Sequence, residues 1–600
     1  MKMSVLTRSY DNARTGANTQ ESVLTPDAVG ARGIAKLFTV HVNDDPRGAE
    51  AQPLLFADLK MADGSVRDVL YVCSMGNHIW AFDANDGTPL WPHPAFLGPP
   101  VKNILAGQPN AGNIDIKFIN PNWGILSTPV IDSETQTMYV INWTSAEADP
   151  QKSLAQSTHQ LFAINIVDGT IRRPPLSIAS SVKNSHGDTI PFVSAAQKQR
   201  AALLLAKVKD SAGKVHKTLF MACGAVRESA RNAHGWVLAF DVDKFALAAT
   251  FCATRRSQGG GIWQGAQGPC ADDQGHIYFM TGNGGWDGKE DFAESVCKLK
   301  YTPAEGGNAA KLDIVDWFTP FIESTIRAAD GHTVVVQGRK FDNTNHRGYD
   351  WGDQDLGSGG PVVLGDLGLV VACGKDGILY VLDENNFGKT QIADLQTPAN
   401  NYKKLKFQPI FFTFFPGFNV NPAPNDPRSL NAYFVDNKTH HLHGSPIYWH
   451  SPEHGPMLFC WGENQTLRAW GIQKDGTTTF LAMGHEVASL NCPLPNGGMP
   501  GGMLSVTANG NTPHSGVVWT LAPLNGDANS QVAAGVLRAY DATAFDTNAD
   551  GSKALRLLWN SDRWNIPFSH NKFNLPVTCN GKIYVPTYDG TIDVYGLTPQ

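Results

Sequence analysis

The sequence of 600 residues lacks the features that mark several broad classes of protein. No apolar run approaches the roughly 18 residues that a membrane-spanning helix needs. The formal net charge is −7, so there is no basic surplus of the kind that nucleic-acid binding requires. No Ser/Gly tract, charge block or low-complexity run separates one part of the chain from another. We therefore expect one folded domain over residues 1–600, with no nucleic-acid partner and no membrane span.

The cysteines and the start of the chain exclude two further classes. The nine cysteines are odd in number and widely spaced, and no Cys-x-x-Cys or metal-type Cys/His spacing occurs. A disulfide framework is therefore not expected, which favours a reducing compartment. The N-terminus MKMSVLTRSYDN has no apolar core of the kind that a secretory signal carries. The sequence leaves three alternatives for the location: the cytoplasm, export of a chain that has since been trimmed, or export by a leaderless route.

A sequence motif that occurs eight times is the strongest indication of the fold. A short apolar strand runs into a Gly-rich turn, and a second strand ends in an Ala/Val–aromatic–Asp-like close. Clear copies are Leu70 to Gly87, Leu369 to Asn386, Met457 to Gly476 and Lys582 to Gly596, and looser copies close at Phe162–Asn165, Leu238–Asp241, Val296–Leu299 and Leu537–Asp541. In Ile79–Phe82 small and large residues alternate with period two, as expected for a strand covered on both faces.

These repeats predict an all-β protein, an eight-bladed β-propeller of four-stranded antiparallel blades. The last strand, Ile592–Tyr595, has no later partner, so we expect the N-terminal stretch Leu6–Leu24 beside it to close the ring. Ser194–Lys207 is the best helix candidate. Two large loop inserts are expected, at about Asp287–Tyr349 and Phe387–Lys438.

The repeat, with its Ala-x-Asp-x-x-Asp-Gly-x-x-x-Trp close in AFDANDGTPLW (Ala81 to Trp91), resembles the pyrroloquinoline-quinone (PQQ) repeat. The opening TRSYDNARTGANTQESVLTPDAVGARGIAKLFTV resembles that of eight-bladed quinoprotein alcohol dehydrogenases. The resemblance covers nearly the whole chain and also extends to non-catalytic propellers such as the outer-membrane assembly lipoproteins. It implies the propeller fold strongly and an activity weakly.

Four segments resemble site segments of these dehydrogenases, in the same order along the chain. They are Gly224 to Asp241, Gly259 to Asn283, Tyr349 to Val363 and Gly374 to Asp383. The resemblance implies calcium ligands at Glu228 and Asn283, and a tryptophan under the quinone at Trp263. It implies a catalytic aspartate at Asp355, or as second choice Asp353, and a basic residue on the quinone carbonyls at Lys375. The family's adjacent cysteines and haem domain are not present in this sequence.

The residue types suit that chemistry. Calcium prefers carboxylate and amide oxygens, an aspartate can take a proton from an alcohol, and a lysine can stabilise developing negative charge. Each residue also has a plainer interpretation, since turns and blade packing use Asn, Asp, Lys and Trp as well.

A histidine-rich segment, Thr439 to Gly455, gives a separate signal. His441 and His443 would point to the same side of an extended chain and could bind a transition metal. The first function that we expect is a PQQ- and calcium-dependent dehydrogenase for an alcohol or sugar. The second is a non-catalytic binding propeller, and the third is a histidine-metal enzyme. The expected partner is a small molecule or sugar, or a protein bound through the loop inserts.

Overall fold

A computed structural model describes residues 2–43, 45, 47–103, 120–228, 230–321, 324–327, 333–336, 355–375, 377–392, 410–411, 441–489, 499–529 and 531–599. Nearly all regular structure in these ranges is β-strand. The helices are short: Pro26–Arg32 and Pro150–Ala155 are α-helical, and Ser194–Ala196 and Leu356–Ser358 form 3-10 turns. Among these described helices, none is long and apolar enough to span a membrane.

The strands group into antiparallel sheets that follow one another along the chain, and we number the sheets in that order. The first sheet contains Leu54–Lys60, Val66–Cys73, His78–Asp83 and Ala95–Phe96, and the second contains Val130–Asp132, Thr137–Thr144, Thr158–Asn165 and Leu176–Ser177. The third contains Gln197–Lys198 with Leu204–Lys209, then Val215–Ala225, Trp236–Asp241 and Ala246–Cys252. The fourth contains Cys270–Ala271, His276–Met280, Val296–Thr302 and Lys311–Phe321.

The later sheets repeat the plan. The fifth sheet contains Val362–Leu364, Leu369–Cys373, Ile378–Asp383 and Ile410–Phe411, and the sixth contains Ile447–Ser451, Gly455–Cys460, Thr466–Ile472 and Thr478–Val487. The seventh contains Met503–Thr507, Val517–Pro523, Gly535–Thr547 and Lys553–Asn560. The eighth contains Val577–Cys579, Lys582–Pro586, Thr591–Leu597 and Ile34–His41. Met483 bridges to Ala554, which joins the sixth and seventh sheets. Ala17–Asn18 pairs in parallel with Met503–Thr507, and Lys389–Ile392 with Lys311–Phe321.

Three two-stranded ribbons complete the described strands. They pair Val101–Lys102 with Asn122–Trp123, Ser181–Lys183 with Thr189–Pro191, and Ser324–Arg327 with Thr333–Val336. Lys311–Phe321 belongs to the fourth sheet, although the sequence placed it in the first loop insert. The structure describes residues 287–321, 324–327 and 333–336 of the first predicted insert, whereas most of the second insert lies outside the described residues.

Neighbouring sheets pack face to face, and the alternation within each strand decides which neighbour a side chain meets. Val69 and Tyr71 of the first sheet lie in a core shared with the second sheet. Leu70 and Val72 point the other way, into a core shared with the eighth sheet, where Ile583 lies. Both faces of this strand are therefore buried between neighbouring sheets. Because the last sheet also packs on the first, the sheets form a ring, which is the arrangement of a β-propeller.

The opening segment lies in the centre of this ring. Residues 5–16 hydrogen-bond to the first strand of every sheet in the description above. The pairs are Val5–Leu55, Leu6–Ile131, Asn12–Leu205, Asn12–Ala271, Ala13–Val363, Thr15–Tyr448, Gly16–Val506 and Tyr10–Thr578. A segment this short can touch every sheet only where the first strands converge, so the first strands surround the axis.

Two local predictions are therefore wrong. An N-terminal strand does pair with the last strand, but it is Ile34–His41 and not Leu6–Leu24, because residues 5–16 are held at the axis. Ser194–Lys207 is not a helix: a 3-10 turn is followed by strands Gln197–Lys198 and Leu204–Lys209. Its polar residues have tertiary partners instead, since Gln199 donates to Ile141 O at 2.9 Å and Arg200 pairs with Glu50 at 2.7 Å. The segment is rich in good helix formers, but helix propensity is a weak preference that tertiary contacts such as these override.

Candidate functional site

One end of the ring collects the residues that the sequence singled out. In a four-stranded antiparallel sheet, the segment that enters the first strand and the turn between the second and third strands lie at the same end. We call this end the mouth. It carries the entry segments at Trp263, Asp355 and His441–His443, and the second-to-third-strand turns at Glu228, Asn283, Lys375 and Glu463.

Glu228 connects the third and fourth sheets at the mouth. Its Oε1 accepts a hydrogen bond from the Trp263 indole Nε1 at 2.6 Å, and its Oε2 accepts one from Asn283 Nδ2 at 3.1 Å. Glu228 is half-buried, whereas Trp263 and Asn283 are buried. Trp263 and Asn283 therefore share the carboxylate of Glu228 as their hydrogen-bond acceptor.

Asp355 extends this network into the fifth sheet. Its Oδ1 accepts the Asn283 backbone N–H at 3.0 Å, and its Oδ2 accepts Lys375 Nζ at 2.7 Å. The side chains of Asp355 and Lys375 are 2% and 10% exposed. An ion pair this buried is costly to desolvate and needs close geometry and further hydrogen bonds. The structure thus brings Trp263, Glu228, Asn283, Asp355 and Lys375 into one continuous chain of contacts.

Two glycines allow this close approach. A Cβ on Gly224 would lie 2.6 Å from Trp263 Cε3, so the glycine backbone covers part of one indole face. A Cβ on Gly282 would overlap Asp355 Oδ1 and would lie 3.3 Å from Trp263 Cδ1. A larger residue at either position would push the indole or the carboxylate away.

The oxygen atoms at Glu228 and Asn283 fit a calcium ion. Asn283 Oδ1 is buried and has no hydrogen-bond partner among the described residues, which is unusual for a buried amide oxygen. A half-turn of the amide exchanges its oxygen and nitrogen, and would place Oδ1 about 3 Å from the Glu228 carboxylate. Two oxygens that bind the same calcium at 2.3–2.6 Å stand about that far apart. The donor set therefore suits the ion that the sequence resemblance implied.

The histidine segment lies beside Lys375, at the entry to the sixth sheet. His443 Nε2 is 2.8 Å from Glu463 Oε1, and His441 Nδ1 is 3.8 Å from Glu463 Oε2. Glu463 is a partner that sequence reasoning missed. Glu463 follows Gly462 in the turn between the second and third strands of the sixth sheet, and Lys375 follows Gly374 in the equivalent turn of the fifth sheet. A comparison of equivalent positions in the repeats would therefore have identified Glu463.

Three histidines of the first three sheets, His78, His159 and His234, have packing partners outside the five-residue chain of contacts. Asp353 lies outside the described residues. His159 stacks on Trp143 with ring centroids 5.1 Å apart, and burial lowers its pKa to about 3. His234 lies 3.1 Å from Thr254 Oγ1, and burial lowers its pKa to about 4. His78 stacks on Phe96. These three histidines thus have separate packing environments.

A second buried ion pair at the mouth had no signal in the sequence. Arg200 Nη2 contacts Glu50 Oε2 at 2.7 Å, and Tyr588 donates to Glu50 Oε1 at 3.0 Å. The Arg200 guanidinium also lies over the Phe573 ring, 4.4 Å from its centroid. This contact links the entry segments of the first, third and eighth sheets.

Comparison with known proteins supports the fold. No family model matches the sequence, and no curated protein matches it significantly. The structure is similar to quinohemoprotein alcohol dehydrogenase from Comamonas testosteroni, with 12% identity and a TM-score of 0.50 over 100% of this chain and 81% of that chain. A second quinohemoprotein alcohol dehydrogenase, from Pseudomonas putida HK5, gives 12% identity and a TM-score of 0.49 over 100% and 80%. BamB from Moraxella catarrhalis gives 11% and 0.40 over 94% and 98%. At such identities the first likeness shows the fold alone.

Proposed function

We propose that this protein is a quinoprotein-like dehydrogenase that oxidises an alcohol or sugar, with PQQ and calcium at the mouth of a single eight-bladed propeller. The observation that carries the proposal is the hydrogen-bonded chain from Trp263 through Glu228, Asn283 and Asp355 to Lys375. Sequence resemblance put these residues in a site before the structure brought them together. A ring of turns with buried charges at one end is also a common place for a ligand.

Each residue has a defined task in this proposal. Glu228 and Asn283 would hold the calcium ion, with the Trp263 indole fixing the orientation of the Glu228 carboxylate. When bound, PQQ accepts the electrons of the oxidation and calcium polarises it as a Lewis acid. Lys375 would place a positive charge beside the cofactor, whereas Trp263, which is 5% exposed, would act through its hydrogen bond to Glu228.

Asp355 would accept the proton from the substrate hydroxyl. Its two oxygens each receive one hydrogen bond, from Asn283 N–H and from Lys375. A carboxylate has about four acceptor positions, so each oxygen has one acceptor position left, and either oxygen can take up the proton. The two donors hold the carboxylate in one orientation, which is what a general base requires.

A thermal melt tests the proposal. A ligand that binds only the folded state contributes about 2.7 kcal/mol at a hundredfold excess over its Kd, so PQQ with calcium should raise the melting temperature. Asn283→Ala should abolish the rise while leaving the unliganded protein folded. Asn386→Ala is the matched control, because Asn386 is an exposed turn residue at the opposite end of the fifth sheet.

The two outcomes lead to different conclusions. A rise in the native protein and the control, but not in Asn283→Ala, supports the site and justifies screening alcohols and sugars for turnover. No rise in folded, metal-free protein rejects the dehydrogenase function and leaves a binding propeller as the better description.

A further inference from the structure

We propose that His441, His443 and Glu463 bind a divalent transition-metal ion, at a site separate from the calcium position proposed above. Two imidazole nitrogens and a carboxylate oxygen offer ligand atoms that all lie within 4.8 Å of one another. The dehydrogenase chemistry proposed above does not use these three residues, so the inference does not depend on that function.

The distances fit a shared ion. With metal–ligand bonds of about 2.0–2.2 Å, neighbouring ligand atoms stand about 3.0–3.6 Å apart. Glu463 Oε1 lies 2.8 Å from His443 Nε2, Glu463 Oε2 lies 3.8 Å from His441 Nδ1, and one ligand atom from each residue lies within 4.8 Å of the other two. Small side-chain rotations would therefore let all three residues bind one ion.

The three ligands are held in place by the surrounding backbone. Glu463 N–H donates to His441 O at 3.0 Å, which fixes the carboxylate turn against the histidine segment. Leu442, between the two histidines, is fully buried in the core of the fifth and sixth sheets. Its N–H donates to Gly374 O at 3.1 Å, and its carbonyl accepts Ser358 Oγ at 2.9 Å. With Leu442 anchored in this way, the two histidine rings lie 5.6 Å apart, centroid to centroid.

The ligand types select the class of metal. Imidazole nitrogen favours zinc, iron, cobalt, nickel and copper, whereas calcium and magnesium prefer an all-oxygen shell. Two histidines with one carboxylate leave coordination positions open for water or substrate. His441 and Glu463 side chains are 13% and 2% exposed, so an ion here would be shielded by protein on most sides.

The alternative is an ordinary hydrogen-bonded histidine–carboxylate pair. The chain contains one at His276 and Asp272, where Nδ1 and Oδ2 are 2.7 Å apart. That pair is not part of a three-ligand group among the described residues. The second histidine within reach of Glu463 is therefore the feature that distinguishes a metal site from a simple pair.

Metal binding to the untagged full-length protein tests the proposal. The protein is stripped with a chelator and dialysed into buffer with excess calcium, so that oxygen-ligand sites are filled. Cobalt(II) is then titrated while its visible d–d absorption is followed, and zinc(II) is used to displace it. We expect saturation at one ion per chain, with a spectrum typical of low coordination number and nitrogen ligands.

Three variants locate the ion. Loss of a residue that only hydrogen-bonds to a metal ligand weakens metal binding about 10- to 100-fold. Because Glu463 and His441 would be ligands themselves, Glu463→Gln and His441→Asn should each weaken cobalt binding by about 100-fold or more. His441→Asn covers the case in which Glu463→Gln does not fold, because His441 is the most exposed of the three. His276→Asn is the matched control and should bind cobalt as the native protein does. The proposal is rejected if the folded native protein does not bind cobalt, if the site variants bind it normally, or if the control loses binding equally.

Discussion

Replacing Lys375 by methionine should destabilise the protein through Asp355. Methionine keeps the length and apolar stem of lysine but removes the ammonium that lies 2.7 Å from the Asp355 carboxylate. Because Asp355 is almost fully buried, its charge then stays in the interior without that cation. Breaking a buried pair in this way costs about 3–5 kcal/mol. For 600 residues unfolding as one unit, the entropy of unfolding is about 1.3 kcal/mol/K, and the melting temperature should fall by about 2–4 °C.

The control is a pair of the same chemistry in a different environment. Lys389 contacts Asp316 at 2.6 Å, but the Lys389 side chain is 46% exposed. Exposed pairs contribute about 0–1 kcal/mol, so Lys389→Met should lower the melting temperature by less than about 1 °C. In the double variant Lys375→Met/Asp355→Asn, the buried charge is gone while an acceptor for Asn283 N–H remains. Most of the lost stability should return.

Calorimetry on the four proteins measures these shifts, each at the same scan rate. The reasoning is refuted if Lys375→Met melts like Lys389→Met, or if the double variant is no more stable than Lys375→Met alone. Either result would mean that the fold accommodates the Asp355 charge without Lys375.

Two further predictions test the packing and the electrostatics of the ring. Gly282→Ala should lower the free energy of unfolding by about 1–3 kcal/mol and disrupt the mouth, because the new Cβ would overlap Asp355 Oδ1. The control is Gly365→Ala, whose Cβ would have open space around it, and it should melt nearly as the native protein does. Equal melting temperatures for the two variants would contradict this prediction. Burial lowers the pKa of His159 to about 3, so the unfolded chain takes up a proton below about pH 6.5 that the folded protein does not. Stability is therefore full above that pH and falls as the pH decreases towards 3, by on the order of 3 kcal/mol at pH 4. His159→Phe should reduce the loss of melting temperature between pH 7 and pH 4, and an unchanged pH profile would show that His159 is not responsible.

The regular parts of the fold were accessible from the sequence because they depend on local chemistry. In Ile79–Phe82 alternation predicted a strand with two buried faces, and the structure places it in His78–Asp83 with neighbours on both sides. Cys73, Cys223, Cys373 and Cys460 stand at similar positions in their repeats, where small hydrophobic residues are expected to be buried, and all four are buried. Such features follow from the period of a strand and the preferences of single residues.

The candidate site was accessible only in part. The resemblance pointed to Trp263, Glu228, Asn283, Asp355 and Lys375, which the structure then joined by hydrogen bonds. It gave no indication that Lys375 pairs with Asp355 rather than standing alone, since a hairpin lysine has many possible partners. Pairings between residues of different sheets depend on the arrangement of whole sheets around the axis.

The strands, their turns and the repetition that makes a ring of sheets could be inferred from local sequence, because each is encoded within a few neighbouring residues. Tertiary structure alone decided what fills the ring and what meets at its mouth. The opening segment gains backbone partners from every first strand at the axis, an outcome that no local pattern contains. Glu463 likewise meets His441 and His443 because the ring brings a turn and an entry segment together, and local residue preferences contain no information about that contact.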